Sequence, residues 1–135
     1  MREKDFYIDI VTPGRTVFSG EANRFFAPSV DGYFEILKNH TPFLSMLKTG
    51  KIVMTQDGVK KYFAISSGFA EVLNNRITVL AETAESSEKI DVERSQASKE
   101  RALKRLADKS PSIDIERAAA SLFRAVTRLS IAEMK

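Results

Sequence analysis

Apolar residues along the chain fall into two regimes. As far as Leu80 they form short β-branched and aromatic runs, each closed by turn residues; beyond Lys89 they recur at helical spacing. The first regime predicts strands at Phe6–Val11, Thr16–Phe18, Arg24–Ala27, Tyr33–Leu37, Lys51–Thr55, Lys61–Ile65, Phe69–Leu73 and Arg76–Leu80. Thr12-Pro13-Gly14, Asp57-Gly58 and Asn74-Asn75 supply the turns, the last two suited to the positive φ of tight hairpins. About 8–10 short strands predict an all-β sandwich or flattened barrel, because a single sheet of that size would leave one apolar face in water. The aromatic residues are expected mostly in its core.

The second regime predicts an antiparallel α-helical hairpin at the C-terminus. Ile90 to Ala107 consists of good helix formers behind a capping Asp91, and Asp108 to Ser112, with Pro111, breaks the helix. Asp114 caps a second helix through Ile115, Ala119, Leu122, Val126 and Leu129. The openings Ile90–Ser98 and Ile113–Ser121 agree at six of nine positions, as two helices that start with a cap, Glu and Arg often do. Large apolar residues are sparse, so the pair should pack on itself and only weakly on the sandwich, leaving other positions accessible.

Composition breaks at the same joint, Glu82 to Arg94. All 6 glycines and 11 of the 12 aromatic residues precede it. Such a shift marks a boundary, placed here between a β-sandwich domain at 1–87 and a helical hairpin at 88–135. The formal charge of +3 belongs to the second part, where 11 basic residues face 8 acidic ones, whereas the first part holds 10 of each. The excess is too small and too interspersed for a nucleic-acid footprint. No apolar run is long enough for a membrane span, and the charged Met1–Asp9 lacks a signal-peptide core; a soluble, unexported chain is expected. Zero cysteines exclude disulfides and thiol chemistry, and with one histidine a zinc site of Cys and His ligands is excluded.

Candidate chemistry lies in the helices. At about 100° per residue, Asp91, Arg94, Ser98 and Arg101 fall along one side of the first, and Arg117, Arg124 and Arg128 along one side of the second. Facing a common cleft, such guanidinium forks could hold a triphosphate without a glycine loop. Turned to solvent, they would form a hydrated face. Ser45 to Ile52 lacks the leading glycine and closing hydroxyl residue of a phosphate loop and reads as a turn into a strand. His40 has no nucleophile motif to serve, so an enzyme built on it is the weakest reading.

Ile10-Val-Thr-Pro13, Gly32 to Leu37 with Asn39-His-Thr-Pro42, Ser67-Gly-Phe69 and Thr78 to Ala84 occur in an order that resembles the bacterial F-type ATP synthase epsilon subunit over essentially the whole chain. The resemblance implies a non-catalytic subunit of the central stalk, peripheral to the cytoplasmic face of the plasma membrane. Its sandwich would bind the gamma subunit and the ion-translocating c ring; its hairpin would extend toward the beta and alpha subunits to inhibit ATP hydrolysis. No cofactor is required. Some members hold ATP as a regulatory ligand in the folded hairpin, and the matching positions are Glu85, Ile90, Asp91, Arg94, Arg101, Arg124 and Arg128, with Ser95 where the family motif has Ala. The arginines would meet phosphate oxygens, and Glu85, Ile90 and Asp91 the adenine and ribose. The gamma and c-ring contact is placed at Glu35, Lys38, Asn39 and His40; Glu35 and Lys38 depart from the family's usual Gly and Pro, in a surface loop. A stand-alone ATP-sensing binding protein is the alternative function.

Overall fold

A computed structural model describes residues 5–37, 42–108 and 110–133. Eight strands come first: β1 (Phe6–Thr12), β2 (Arg15–Ala22), β3 (Arg24–Ser29), β4 (Gly32–Ile36), β5 (Phe43–Leu47), β6 (Gly50–Gln56), β7 (Val59–Leu73) and β8 (Arg76–Ser86). A 3-10 turn at Ser87–Lys89 leads into α1 (Val92–Ala107), and α2 (Ile115–Ala132) returns along it. The expected sandwich followed by a helical hairpin is the architecture observed.

Sheet order is β2-β1-β8-β7-β5-β3-β4, with β6 pairing both β3 and β7. β7 holds the two layers together. Its first half pairs with β6 and its second half with β5, while β8 runs beside it from Phe63 to Leu73. Pairing is antiparallel except between β1 and β8. Alternation along the strands builds the core: Phe6, Ile8 and Ile10 of β1, Ile52 and Met54 of β6, Ala70 and Val72 of β7, and Ile77 and Val79 of β8 are all buried. Asp57 and Gly58, like Asn74 and Asn75, sit at positive φ, so both predicted hairpins close through two residues in the left-handed region.

Three sequence expectations change. β5 falls where a turn was expected, because Phe43-Leu-Ser-Met-Leu carries apolar residues on both faces and gives no clean alternation; Leu44 and Met46 are exposed and Leu47 is buried. Ser66-Ser67-Gly68 does not divide β7. A Cβ on Gly68 would lie 2.0 Å from the Leu80 carbonyl oxygen, so this glycine marks a close backbone approach rather than a turn. Only Phe6, Phe25 and Phe63 of the aromatic set are buried; Phe18, Phe34 and Phe43 lean on the core, while Tyr33 and Phe69 are exposed.

Both helices start at the expected caps. The Asp91 and Asp114 carboxylates accept from the N–H of Arg94 and Arg117, each at 3.0 Å. The hairpin's buried positions are small, Ser95 and Ala102 on α1 and Ala118 and Ala125 on α2, so it buries little apolar area within itself. It meets the sandwich at a compact seam in which Ile131 and Ala132 of α2 pack with Ala64, Ile90 and the ring of Tyr62.

Candidate functional site

Beside this seam lies a cleft of about 270 Å³, lined by Glu85, Asp91, Arg94, Ser95, Ser98 and Arg128. Three elements supply them. Glu85 comes from the last residues of β8, where Ala64 of β7 opposes it across the ladder. Asp91 to Ser98 come from the cap and first turns of α1, whose periodicity puts them on one side. Arg128 reaches in from α2, and its Nε donates to Glu85 Oε1 at 2.8 Å. Among the described residues this is the one ion pair between the sheet and the hairpin.

The chemistry of the cleft is mixed and polar. Glu85 is already paired with Arg128, and one oxygen of Asp91 is committed to the helix cap. Arg94 has no side-chain partner among the described residues, so its fork is free to take an oxyanion bidentately. Arg101 donates to Ser98 Oγ at 3.0 Å, which holds a further guanidinium at the rim. Behind Arg128 a second, water-sized space lies against the sheet, lined by Thr49, Ser66, Thr83, Arg124 and Thr127 among others. Arg124 and Arg128, one helical turn apart, thus face the sandwich side of the hairpin.

The structure therefore gathers Glu85, Asp91, Arg94 and Arg128 around one cleft, with Arg101 at its rim and Arg124 in the adjoining space. Ile90 is different. Its side chain is buried in the apolar seam below the cleft and supports it without lining it. Arg117 is exposed and outside the lining, so of the second-helix stripe only Arg124 and Arg128 turn inward. Ser95, buried at the floor, and Ser98 add hydroxyls that the charge pattern alone does not reveal. No group of three or more His, Cys, Asp or Glu among the described residues could hold a metal ion.

A second feature lies on the outer face of the sandwich, where sequence reasoning saw only core. Val11, Leu80, Phe69 and Met46 are successive cross-strand partners on β1, β8, β7 and β5, forming an apolar row. Leu80, Phe69 and Met46 are about half exposed and border an open groove of about 670 Å³. Contiguous exposed apolar side chains of this kind mark interaction surfaces. Glu35 belongs to β4, not to a loop; it opposes Phe26 and lies 3.8 Å from Arg24. Lys38, Asn39 and His40 lie outside the described residues. No helix among the described residues is long and apolar enough to cross a membrane.

Comparison with known proteins gives consistent results over both parts of the chain. Residues 5–87 match the family described as the ATP synthase Delta/Epsilon chain beta-sandwich domain, and residues 88–133 match the corresponding long alpha-helix domain. The ATP synthase epsilon chain of Desulfosudis oleivorans is 49% identical over 100 residues, covering 73% of this chain and 75% of its own length. That of Desulforamulus reducens is 48% identical over 99 residues, with the same two coverages. A chain of the Euglena gracilis mitochondrial ATP synthase OSCP/F1/c-ring assembly superposes with a TM-score of 0.77 at 18% identity, covering 93% of this chain and 81% of that one, which is a likeness of fold.

Proposed function

The chain belongs to the ATP synthase delta/epsilon family, among the bacterial F-type epsilon chains, and from that premise we propose that it is a non-catalytic rotor subunit with a movable regulatory hairpin. The sandwich joins the gamma subunit to the c ring and the hairpin restrains ATP hydrolysis when it leaves the sandwich for the catalytic subunits. The whole subunit is peripheral to the membrane, on its cytoplasmic face. The observation that carries this reading is the thinness of the hairpin's attachment. A few apolar side chains at Ile90, Ile131, Ala132 and Ala64, and the Glu85–Arg128 ion pair, are what hold it. An attachment of that size leaves the free-energy gap between docked and extended positions within reach of a ligand or partner.

ATP fits the cleft chemically as a regulatory ligand. Arg94, Arg124 and Arg128, with Arg101 at the rim, would hold phosphate oxygens, and Glu85 and Asp91 would accept from the amine and hydroxyl groups of the adenine and ribose, above the support of Ile90. Since Glu85 lies on β8 of the sandwich while Arg94 lies on the first helix of the hairpin and Arg124 and Arg128 on its returning helix, a ligand contacting Glu85 together with these arginines would favour the docked position. The apolar row Val11, Leu80, Phe69 and Met46 supports a protein partner on the sandwich, for which gamma is proposed.

The test is reconstitution with the cognate alpha, beta and gamma subunits, comparing the full chain with one ending at residue 87. Both should co-purify with gamma, and only the full chain should lower ATP hydrolysis. Failure of the full chain to bind gamma, or equal inhibition by the two, would overturn the reading.

A further inference from the structure

A strand edge near the root of the hairpin is open, and its surroundings are basic. β8 accompanies β7 only as far as the Phe63–Ser86 pair, after which the chain turns away through Ser87–Lys89. From Val59 to Tyr62, β7 therefore has a neighbour on its β6 side and, among the described residues, no paired strand on the other. The two-residue turn at Asp57-Gly58 makes Gln56–Val59 the closing pair of the β6–β7 hairpin. Alternation of ladder bonds then directs the N–H and C=O of Lys60 away from β6, into the space β8 has left.

That space is a slot of about 180 Å³. β7 forms one wall, Val17 and Phe18 of β2 the other, and Ser86–Lys89 its end. Lys60, Lys61 and Lys89 line it against one carboxylate, Glu88. Phe18 packs edge-on against Phe63 at 5.6 Å, and the Lys61 ammonium lies 5.4 Å from the Phe18 ring centroid. An open edge with outward backbone groups, an aromatic wall and a threefold basic rim is chemistry for an extended acidic peptide.

We propose that an extended acidic segment of a partner chain adds to the free edge of β7 here, with backbone bonds to Lys60 and carboxylates on Lys60, Lys61 and Lys89. The slot ends on the joint that leads into α1, so its occupant touches the root of the hairpin. The proposal does not depend on nucleotide binding in the opposite cleft.

The probe is a capped seven-residue peptide of alternating Glu and Val, titrated into the full chain and followed by amide NMR shifts and by calorimetry, with the Gln-Val peptide as control. Shifts should concentrate at Val59–Phe63, Phe18 and Ser86–Lys89, and the Gln-Val peptide should bind at least ten-fold more weakly. Lys60→Pro removes an N–H that β6 does not use, so it should abolish binding while leaving the circular dichroism spectrum and β6 pairing intact. Lys60→Glu with Lys61→Glu should lower affinity at least ten-fold. Binding that survives Lys60→Pro, equal binding of the Gln-Val peptide, or shifts centred elsewhere would overturn the proposal. So would absence of binding, with the double glutamate variant self-associating in the ultracentrifuge, since the lysines would then only guard the edge against a second copy of the chain.

Discussion

The docked hairpin should respond far more to loss of one apolar side chain than to loss of its ion pair. Ile131 is 1% exposed and packs with Ile90, Ala64 and Ala132 at the seam. Truncation to Ala removes three buried carbons, and such a change costs about 2–4 kcal/mol where neighbours cannot collapse onto the space. Because the seam exists only when the hairpin is docked, most of that cost falls on docking, which shifts the equilibrium about 30- to 700-fold. The Glu85–Arg128 pair is partly solvated, at 33% and 26% side-chain exposure, so Glu85→Gln should cost about 0.5–1 kcal/mol, a shift of about two- to five-fold. The chain has no cysteine, so spin labels at Glu71→Cys on β7 and Gln96→Cys on α1, both exposed, report the separation without background. Ile131→Ala should convert a short-distance peak to a broad, long one while the sandwich stays folded; Glu85→Gln should leave the short peak dominant. The reverse order would refute the view that apolar packing holds the hairpin.

Gly68→Ala should destabilise the sandwich by at least about 2 kcal/mol in urea unfolding, because the added methyl meets the Leu80 backbone rather than a side chain that can move. The hydrogen bond from Ser19, and then the Arg76 guanidinium, hold the Asp9 carboxyl below the usual carboxylate range against the opposing effect of its partial burial. A depressed folded-state pKa adds stability above the unfolded value near 3.8 that is lost as pH falls through the lower folded value, so Asp9→Asn should flatten the acid limb of the stability profile and leave the region above pH 6 parallel to wild type. Asp91→Ala should cost about 1 kcal/mol of stability through the lost cap of α1, whereas Asp91→Asn should retain the cap, so that nucleotide titration of the Asn variant reads the carboxylate's role in the cleft alone. Phe69→Ser should weaken association with gamma at least ten-fold in pull-down titration while leaving thermal unfolding nearly unchanged, since that ring is half exposed.

Much of this was legible in the sequence because local rules and global fold agree. Asp91 and Asp114 announced both helices, and Asp57-Gly58 and Asn74-Asn75 announced both tight hairpins through the positive φ their geometry needs. β5 was not legible, since Leu44 and Met46 are apolar residues on an outer face and mimic core. Gly68 reads in sequence as a break, and only the approach of β8 explains it. In the cleft, helical periodicity placed Asp91, Arg94 and Ser98 together, and resemblance to a family added Glu85. Periodicity could not say that Arg117 turns outward while Arg124 and Arg128 turn inward, because that depends on how α2 lies on the sheet. The pairing of Glu85 with Arg128 spans 43 residues and follows from that same packing.

The measurement that reaches the central claim most directly is calorimetric titration of the whole chain with ATP, with and without magnesium, repeated on Arg94→Ala and Arg124→Ala. A hairpin held down by nucleotide predicts saturable binding to the wild type that is lost in both variants while their sandwiches remain folded. Absence of binding to the folded wild type up to millimolar ATP, or binding that both variants keep, would contradict it.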